Sequence, residues 1–205
     1  MKNFYFTLLL IATASLTTAQ ETSYSKFQII ATAGIGFATI ASDAQPNYNL
    51  DNNVSSILLN YRFSEKYGIA TGLGHSELSG TGFNAIGNFF HERELLRIPL
   101  LFTMDYQLTE KVKYVSNVGL YAQTIMDDEY RFLNTTESDV FKGWNYGFEA
   151  SIGLLFELSK RIGLGVNFNT QQDFNEFNSV SNAVITDSQK LRNANTIGLL
   201  FLLEL

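Results

Sequence analysis

Large apolar side chains fall on every second residue through most of the chain. In Ala150 to Asn169, Ile152, Leu154, Phe156 and Leu158 alternate with Ser151, Gly153, Leu155 and Glu157. After the polar break Ser159-Lys160-Arg161, Ile162, Leu164, Val166 and Phe168 alternate with Gly163, Gly165 and Asn167. A period of two marks a strand with two unlike faces. The same alternation runs through Phe27 to Phe37, Ile57 to Phe63, Tyr67 to Leu73, Leu96 to Tyr106, Val112 to Leu120, Trp144 to Ala150 and Ile197 to Leu205. Together these runs predict about eight strands, an even number as bacterial barrels require.

The connections between these runs alternate in length. The long ones are Ser42 to Asn53, Ser76 to Glu92, Asp127 to Lys142 and Thr170 to Asn193. The short ones are Ser64-Glu65-Lys66, Thr109-Glu110-Lys111 and Ser159-Lys160-Arg161. In an antiparallel meander alternate connections lie at opposite ends, so all long loops share one end and all short turns the other. That is the topology of an outer-membrane barrel, with short periplasmic turns and longer extracellular loops. It predicts an all-β, eight-stranded antiparallel up-and-down transmembrane β-barrel with both termini periplasmic, in the outer membrane of a Gram-negative bacterium.

Composition decides which face meets which solvent. Of 205 residues only 17% are charged while 45% are hydrophobic, and there are 15 glycines and 2 prolines. The charged share is low for a soluble domain, where about 25% is usual. An eight-stranded barrel is just wide enough for inward side chains to fill it. Glycines and small polar residues therefore suit the interior, and the bulky residues suit acyl chains outside. Tyr61, Phe63, Tyr67, Tyr106 and Tyr114 fall near the short turns, and Phe37, Trp144 and Tyr146 toward the long loops, as two aromatic girdles would. The first residues read as a secretory signal peptide, with Lys2, an apolar core from Phe4 to Leu16, and small Thr17 and Ala19 before a cut. The expected organisation is a signal peptide at 1–19 and a barrel domain at 20–205. The chain has no cysteine, which excludes disulfides and thiolate metal sites, and its net charge of -6 argues against nucleic acid as a partner.

The segment ELLRIPLLFTMDYQL, Glu94 to Leu108, followed by a short turn and the glycine-bearing VSNVGLYA, resembles the PorT-like small outer-membrane β-barrel proteins of Bacteroidota, which are OmpA/OmpX-like eight-stranded barrels. The resemblance covers nearly all of the chain after the signal. It implies the fold and the location, and a part in protein secretion or surface assembly. Pro99 in this segment lacks a ladder donor, so a bulge or local irregularity is expected there.

The inward face carries charges: Arg62, Asp105, Lys113, Glu157 and Glu204 near the short turns, and Arg97 and Glu149 higher. Burial favours pairing, so these seven are expected to form a structural network rather than an ion path. His75-Ser76-Glu77 is the one triplet that suggests catalysis, because some outer-membrane lipid A hydrolases use His, Ser and Glu. Neighbours on a strand point to opposite faces, which favours a non-catalytic reading. Asp127-Asp128-Glu129, with Glu137 and Asp139, could gather a cation through oxygen ligands or be a solvated acidic loop. Phe83, Phe89, Phe90, Tyr130, Phe132, Phe174 and Phe177 lie in the predicted long loops, as contact residues or as loop packing. No glycine-rich phosphate loop, HExxH or nucleophile elbow occurs, so no cofactor is expected. The expected role is non-enzymatic, structural or surface-interacting, with outer-membrane lipids and a surface or secretion-system protein as partners. The rivals are a lipid A-modifying hydrolase and a soluble lipocalin-like carrier, the latter with Ile152, Leu154 and Phe156 pointing inward.

Overall fold

In the computed structural model, which describes residues 24–180 and 187–205, ten strands run in chain order. They are β1 (Phe27–Ser42), β2 (Tyr48–Arg62), β3 (Tyr67–Asn84), β4 (Gly87–Thr109), β5 (Val112–Phe132), β6 (Thr136–Ser138), β7 (Trp144–Glu157), β8 (Ile162–Asp173), β9 (Phe177–Asn178) and β10 (Ser188–Glu204). The expected signal peptide lies outside the described residues. The eight long strands pair antiparallel with their neighbours, and β1 closes on β10 from Gln28↔Glu204 to Ser42↔Gln189. Closure leaves no open edge within the wall, as lipid requires. The short β6 and β9 add to β5 and β10 at the upper end, outside the ring.

The lower end is built from tight turns with a shared chemistry. In Phe63 to Tyr67, the Ser64 hydroxyl accepts from the backbone N–H of Lys66 and Tyr67 at 3.3 and 3.0 Å. In Leu158 to Ile162, Ser159 accepts from Arg161 and Ile162 at 3.2 and 3.1 Å. Serine at that position mimics a backbone acceptor and fixes the reversal. The start of β1 and Leu205 meet at this same end, where Leu205 N–H donates to the Phe27 carbonyl at 3.0 Å.

The upper end differs from the long-loop expectation. Residues 48–53, 76–84, 87–92 and 127–132 are strand, so the predicted loops are mostly the wall continuing upward. The β3–β4 connection is only two residues long, and Asn84 Oδ1 accepts from Ile86 and Gly87 N–H at 2.9 and 3.2 Å. Gly87 closes that turn at φ +140°, where a side chain would be strained. The result is a sheet of β3, β4, β5 and β6 standing above the rest of the barrel.

Between the turns and this extension the outward rows are apolar and exposed: Ile35, Ile57, Leu100, Leu154, Val166 and Leu199 among them, with Ile35 at 67% and Ile57 at 66%. No folded protein leaves so continuous a greasy belt to water. The aliphatic rows of β7 and β8 face out, which removes the lipocalin-like carrier. Phe27 and Tyr61 pack at 5.4 Å, and Tyr67 stacks on Phe102 at 5.6 Å, at the lower rim. Trp144 and Tyr146 are exposed at the upper one. The chain is an all-β transmembrane barrel.

One expectation about the interior needs correction. The lumen is not filled by small residues alone. Ile30, Leu58, Leu101, Val115, Leu155, Leu200 and Leu202 form a buried apolar cluster inside it. Glycine serves another purpose: a Cβ on Gly36 would collide with the Asn195 carbonyl, so glycine there lets β1 and β10 approach closely. At Pro99 the expected local irregularity is present, without a bulge. The β3–β4 ladder skips between Thr71↔Leu100 and Gly74↔Arg97 and resumes in the same register, and Thr71 donates its hydroxyl to the Pro99 carbonyl at 2.8 Å.

Candidate functional site

The interior is stacked in layers that follow residue offsets along each strand. Lowest is the charge layer. Arg62 pairs with Glu204 at 3.4 Å, and Lys113 pairs with Glu157 at 2.7 Å and Glu204 at 3.6 Å. Asp105 is half-buried nearby and makes no ion pair within 4.0 Å among the described residues. Two to four residues higher on the same strands sits the apolar cluster of Leu58, Leu101, Val115, Leu155 and Leu202. Above it Arg97 lies 3.3 Å from Glu149 without hydrogen-bond alignment. The seven charges read from the sequence thus fall in two separate groups, divided by aliphatic side chains. The space beside Arg97 and Glu149 measures only 20 Å³, too small for a solute larger than water.

Higher still, Asp173 accepts from Tyr121 at 2.7 Å, Gln123 at 2.7 Å and Asn145 at 3.0 Å. Above the lipid-facing belt lies the most elaborate cluster. Asp128 Oδ1 accepts from Arg93 Nε at 2.7 Å and from His91 Nε2 at 3.0 Å, and its Oδ2 accepts from Phe141 N–H at 3.1 Å. His91 Nδ1 lies 3.0 Å from the Tyr48 hydroxyl. A neutral ring with its proton on Nε2 satisfies both contacts, donating to Asp128 and accepting from Tyr48. Tyr130 stacks on His91 at 4.1 Å and donates to Gln189 Oε1 at 3.0 Å, and Arg93 Nη2 also reaches Gln189 at 3.2 Å. An apolar shell of Ile40, Leu50, Leu78, Phe89, Leu95, Phe141, Phe177 and Leu191 encloses the group.

This cluster lies beyond the membrane-spanning rows, and its electrostatics follow from burial. Burial, aided by the Arg93 charge, pushes His91 down to about 4 against the pull of Asp128. Burial alone would raise Asp128, but Arg93 and the His91 hydrogen bond outweigh it and hold the carboxyl below its usual range. Burial pushes the Tyr48 phenol up to about 12. At neutral pH the cluster is an Arg–Asp ion pair with a neutral imidazole and neutral phenols. Its members bind one another across β2, β4, β5 and β10, so they brace these four strands together.

The sequence candidates for chemistry are not brought together. His75 points outward, 3.6 Å from Glu94; Ser76 is buried inside; Glu77 is exposed outside. The acidic run is likewise split: Asp128 faces inward onto Arg93, and Asp127 and Glu129 face outward. Among the described residues no three His, Asp or Glu side chains are placed to hold a metal ion. Of the loop aromatics, Phe89, Tyr130 and Phe177 are buried in the upper core, while Phe83 and Phe174 are exposed.

An eight-stranded antiparallel barrel with an apolar exterior and a layered polar interior defines a class, that of small outer-membrane β-barrels. The crystal structure of Neisserial surface protein A superposes with a TM-score of 0.55 at 10% identity, over 88% of this chain and 98% of that one. The outer membrane protein OprG from Pseudomonas aeruginosa gives 0.51 at 12% identity, over 89% and 98%. The outer membrane protease OmpT from Escherichia coli gives 0.51 at 9% identity, over 89% and 98%. At such identities the likeness establishes the fold alone. No family model matches the chain. No curated protein matches it significantly.

Proposed function

We propose that this chain is a non-enzymatic protein of the Gram-negative outer membrane, with its termini in the periplasm, whose role is carried by the sheet standing outside the membrane. The observation that carries this reading is the contrast between lumen and extension. The lumen is plugged by an aliphatic layer above a charge layer, which leaves no polar route for a solute. The extension is a braced, projecting surface. Short turns belong on the periplasmic side in such barrels, which supports this orientation. The resemblance of Glu94 to Leu108 to PorT-like barrels of Bacteroidota supports a part in protein secretion or surface assembly, with a surface or secretion-system protein as partner. The division of His75, Ser76 and Glu77 between two faces speaks against lipid A hydrolysis, since nucleophile and base must come within hydrogen-bond reach.

The test is cysteine labelling in intact Gram-negative cells, which is clean because the chain has no cysteine of its own. A Thr81→Cys variant should react with an impermeant maleimide without permeabilisation, and a Ser159→Cys variant only after it. The reverse pattern overturns the orientation. A His75→Ala variant should leave the lipid A mass spectrum unchanged; a shifted profile would restore the hydrolase.

A further inference from the structure

The tip of the projecting sheet carries a groove of 1090 Å³ lined by Phe83, Ile86, Phe90, Phe132 and Leu133 together with polar side chains such as Arg131. Leu133 is 96% exposed, Phe83 59% and Ile86 51%, well clear of the lipid-facing rows. Below the groove, on the outward face of the same sheet, carboxylates stand side by side. Glu77 is directly opposite Glu94 on the neighbouring strand, and Glu94 is directly opposite Asp127. Glu92 is directly opposite Glu129. Like charges in facing positions destabilise a sheet. Arg131 compensates the upper pair, bridging Glu92 and Glu129, and its guanidinium lies 5.0 Å from the Phe90 ring centre. Among the described residues the lower row has only His75 beside it, 3.6 Å from Glu94. Four residues separate Glu94 from Phe90 along β4, or about 13 Å.

We propose that this face docks a cationic polypeptide segment of a partner protein, which seats apolar side chains in the tip groove and lays lysine or arginine over Glu77, Glu94 and Asp127. Charge complementarity selects this occupant. A cation across the lower row relieves two facing repulsions at once, and an acidic segment would add a third. Extended chain of about four residues spans from groove to carboxylate row, so one short segment reaches both. The proposal rests on the surface role argued above and narrows the partner to basic, apolar-bearing segments.

The experiment uses the full chain in nanodiscs of zwitterionic phosphatidylcholine, with empty nanodiscs as background. The probe is a fluorescent peptide of about ten residues carrying lysines and two phenylalanines, the scale of a recognised segment. The controls replace its lysines by glutamate or its phenylalanines by serine. The lysine–phenylalanine peptide should bind with an affinity that falls as salt rises, and both controls should bind at least about tenfold more weakly. Glu77→Gln/Glu94→Gln/Asp127→Asn and Phe83→Ser/Leu133→Ser should each weaken binding about tenfold. Both sets change exposed side chains, and heat-modifiable migration on a gel verifies the barrel in each. Equal binding of the glutamate control, or undiminished binding by both variants in verified barrels, overturns the proposal. If the Thr81→Cys label reacts from outside while the peptides show no selectivity, the docking proposal alone falls; if the label fails to react, the surface role falls with it.

Discussion

On β4 the outward positions 96, 98, 100 and 102 are Leu, Ile, Leu and Phe, whereas the outward positions 92 and 94 just above are both Glu. The inward positions keep one character throughout: Arg97, Leu101 and Thr103 are buried in the lower part, and Phe89, His91, Arg93 and Leu95 in the upper part. One strand thus crosses from a lipid-facing wall into an ordinary water-facing sheet within a few residues. The lower barrel is held by closure and by a plug of aliphatic and ionic layers. The upper sheet has to make its own core, and it does so around Arg93, Asp128 and His91. Burial separates the two kinds of ionic contact. Arg93 and Asp128 side chains are 2% and 0% exposed, and Lys113 and Glu157 are 16% and 27%.

The boundary itself is built by two single-residue bulges. On β5 the pairing steps from Leu95↔Ile125 to Glu94↔Asp127, leaving Met126 without a partner. On β10 it steps from Thr39↔Asn193 to Ile40↔Leu191, leaving Arg192 without one. A one-residue slip sends every later side chain to the other face. Below Met126 even-numbered residues of β5 face out; above it odd-numbered ones do, and Asp128 and Tyr130 turn inward. The sharpest way to break the contrast between the regions is therefore to delete Met126. Asp128 and Tyr130 should turn to solvent and leave Arg93 buried alone, at a cost of at least about 3–5 kcal/mol. Hydrogen exchange should show loss of protection at 87–94 and 127–132 with the spanning rows unchanged. Retained protection above the membrane would mean that the bulge does not set the phase.

These bulges also explain what the sequence could and could not reveal. Alternation with constant phase exposed the spanning part of every long strand and the two aromatic girdles, whereas the alternating connection lengths did not hold, because the long stretch Ser76 to Glu92 is strand with a two-residue turn. It failed above position 125 on β5 and near 192 on β10 because the phase changes there. A segment such as Asp127 to Phe132, with charges and aromatics interleaved, then has no period to follow. The brace was missed because His91, Asp128 and Gln189 lay in stretches read as loop and Arg93 stood at the edge of one; on β4 the phase is constant, but Glu92 and Glu94 replace the apolar outward residues that made the alternation visible. One local signal was present, since Asn84-Ala85-Ile86-Gly87 is a tight-turn sequence between two strand-like runs. The aliphatic plug was hidden differently. Leu58, Leu101, Leu155 and Leu202 sit between outward apolar residues, so those runs read as uniformly greasy with no clear inner face.

Acid should distinguish the regions next. His91 has a folded pKa of about 4 against an ordinary 6.5, so protonation favours the opened state. Its contribution is fully present above pH 6.5 and is lost as pH falls toward about 4, a loss of about 3 kcal/mol at about 1.4 per pH unit. Asp128, also held low, adds to the loss in the same direction at more acid pH. In detergent micelles the His91 ring should stay neutral by NMR down to about pH 5. The upper sheet should then loosen before the barrel does. A His91 that takes up its proton near 6.5 would show that the brace is open to water.

The smallest effect belongs to the lower charge layer. Glu157→Gln removes the carboxylate 2.7 Å from Lys113, yet Lys113 retains Glu204 at 3.6 Å and both ends reach solvent. Gln107 donates to Glu157 Oε2 at 2.9 Å, and glutamine can still accept there. An ion pair this exposed contributes at most about 1 kcal/mol. Refolding into lipid vesicles from urea should shift by no more than that, far less than for deletion of Met126. If Glu157→Gln instead cost as much as breaking the upper ion pair, the lower layer would be acting as a sealed core. The division between a barrel held by closure and a sheet held by its buried brace would then fail.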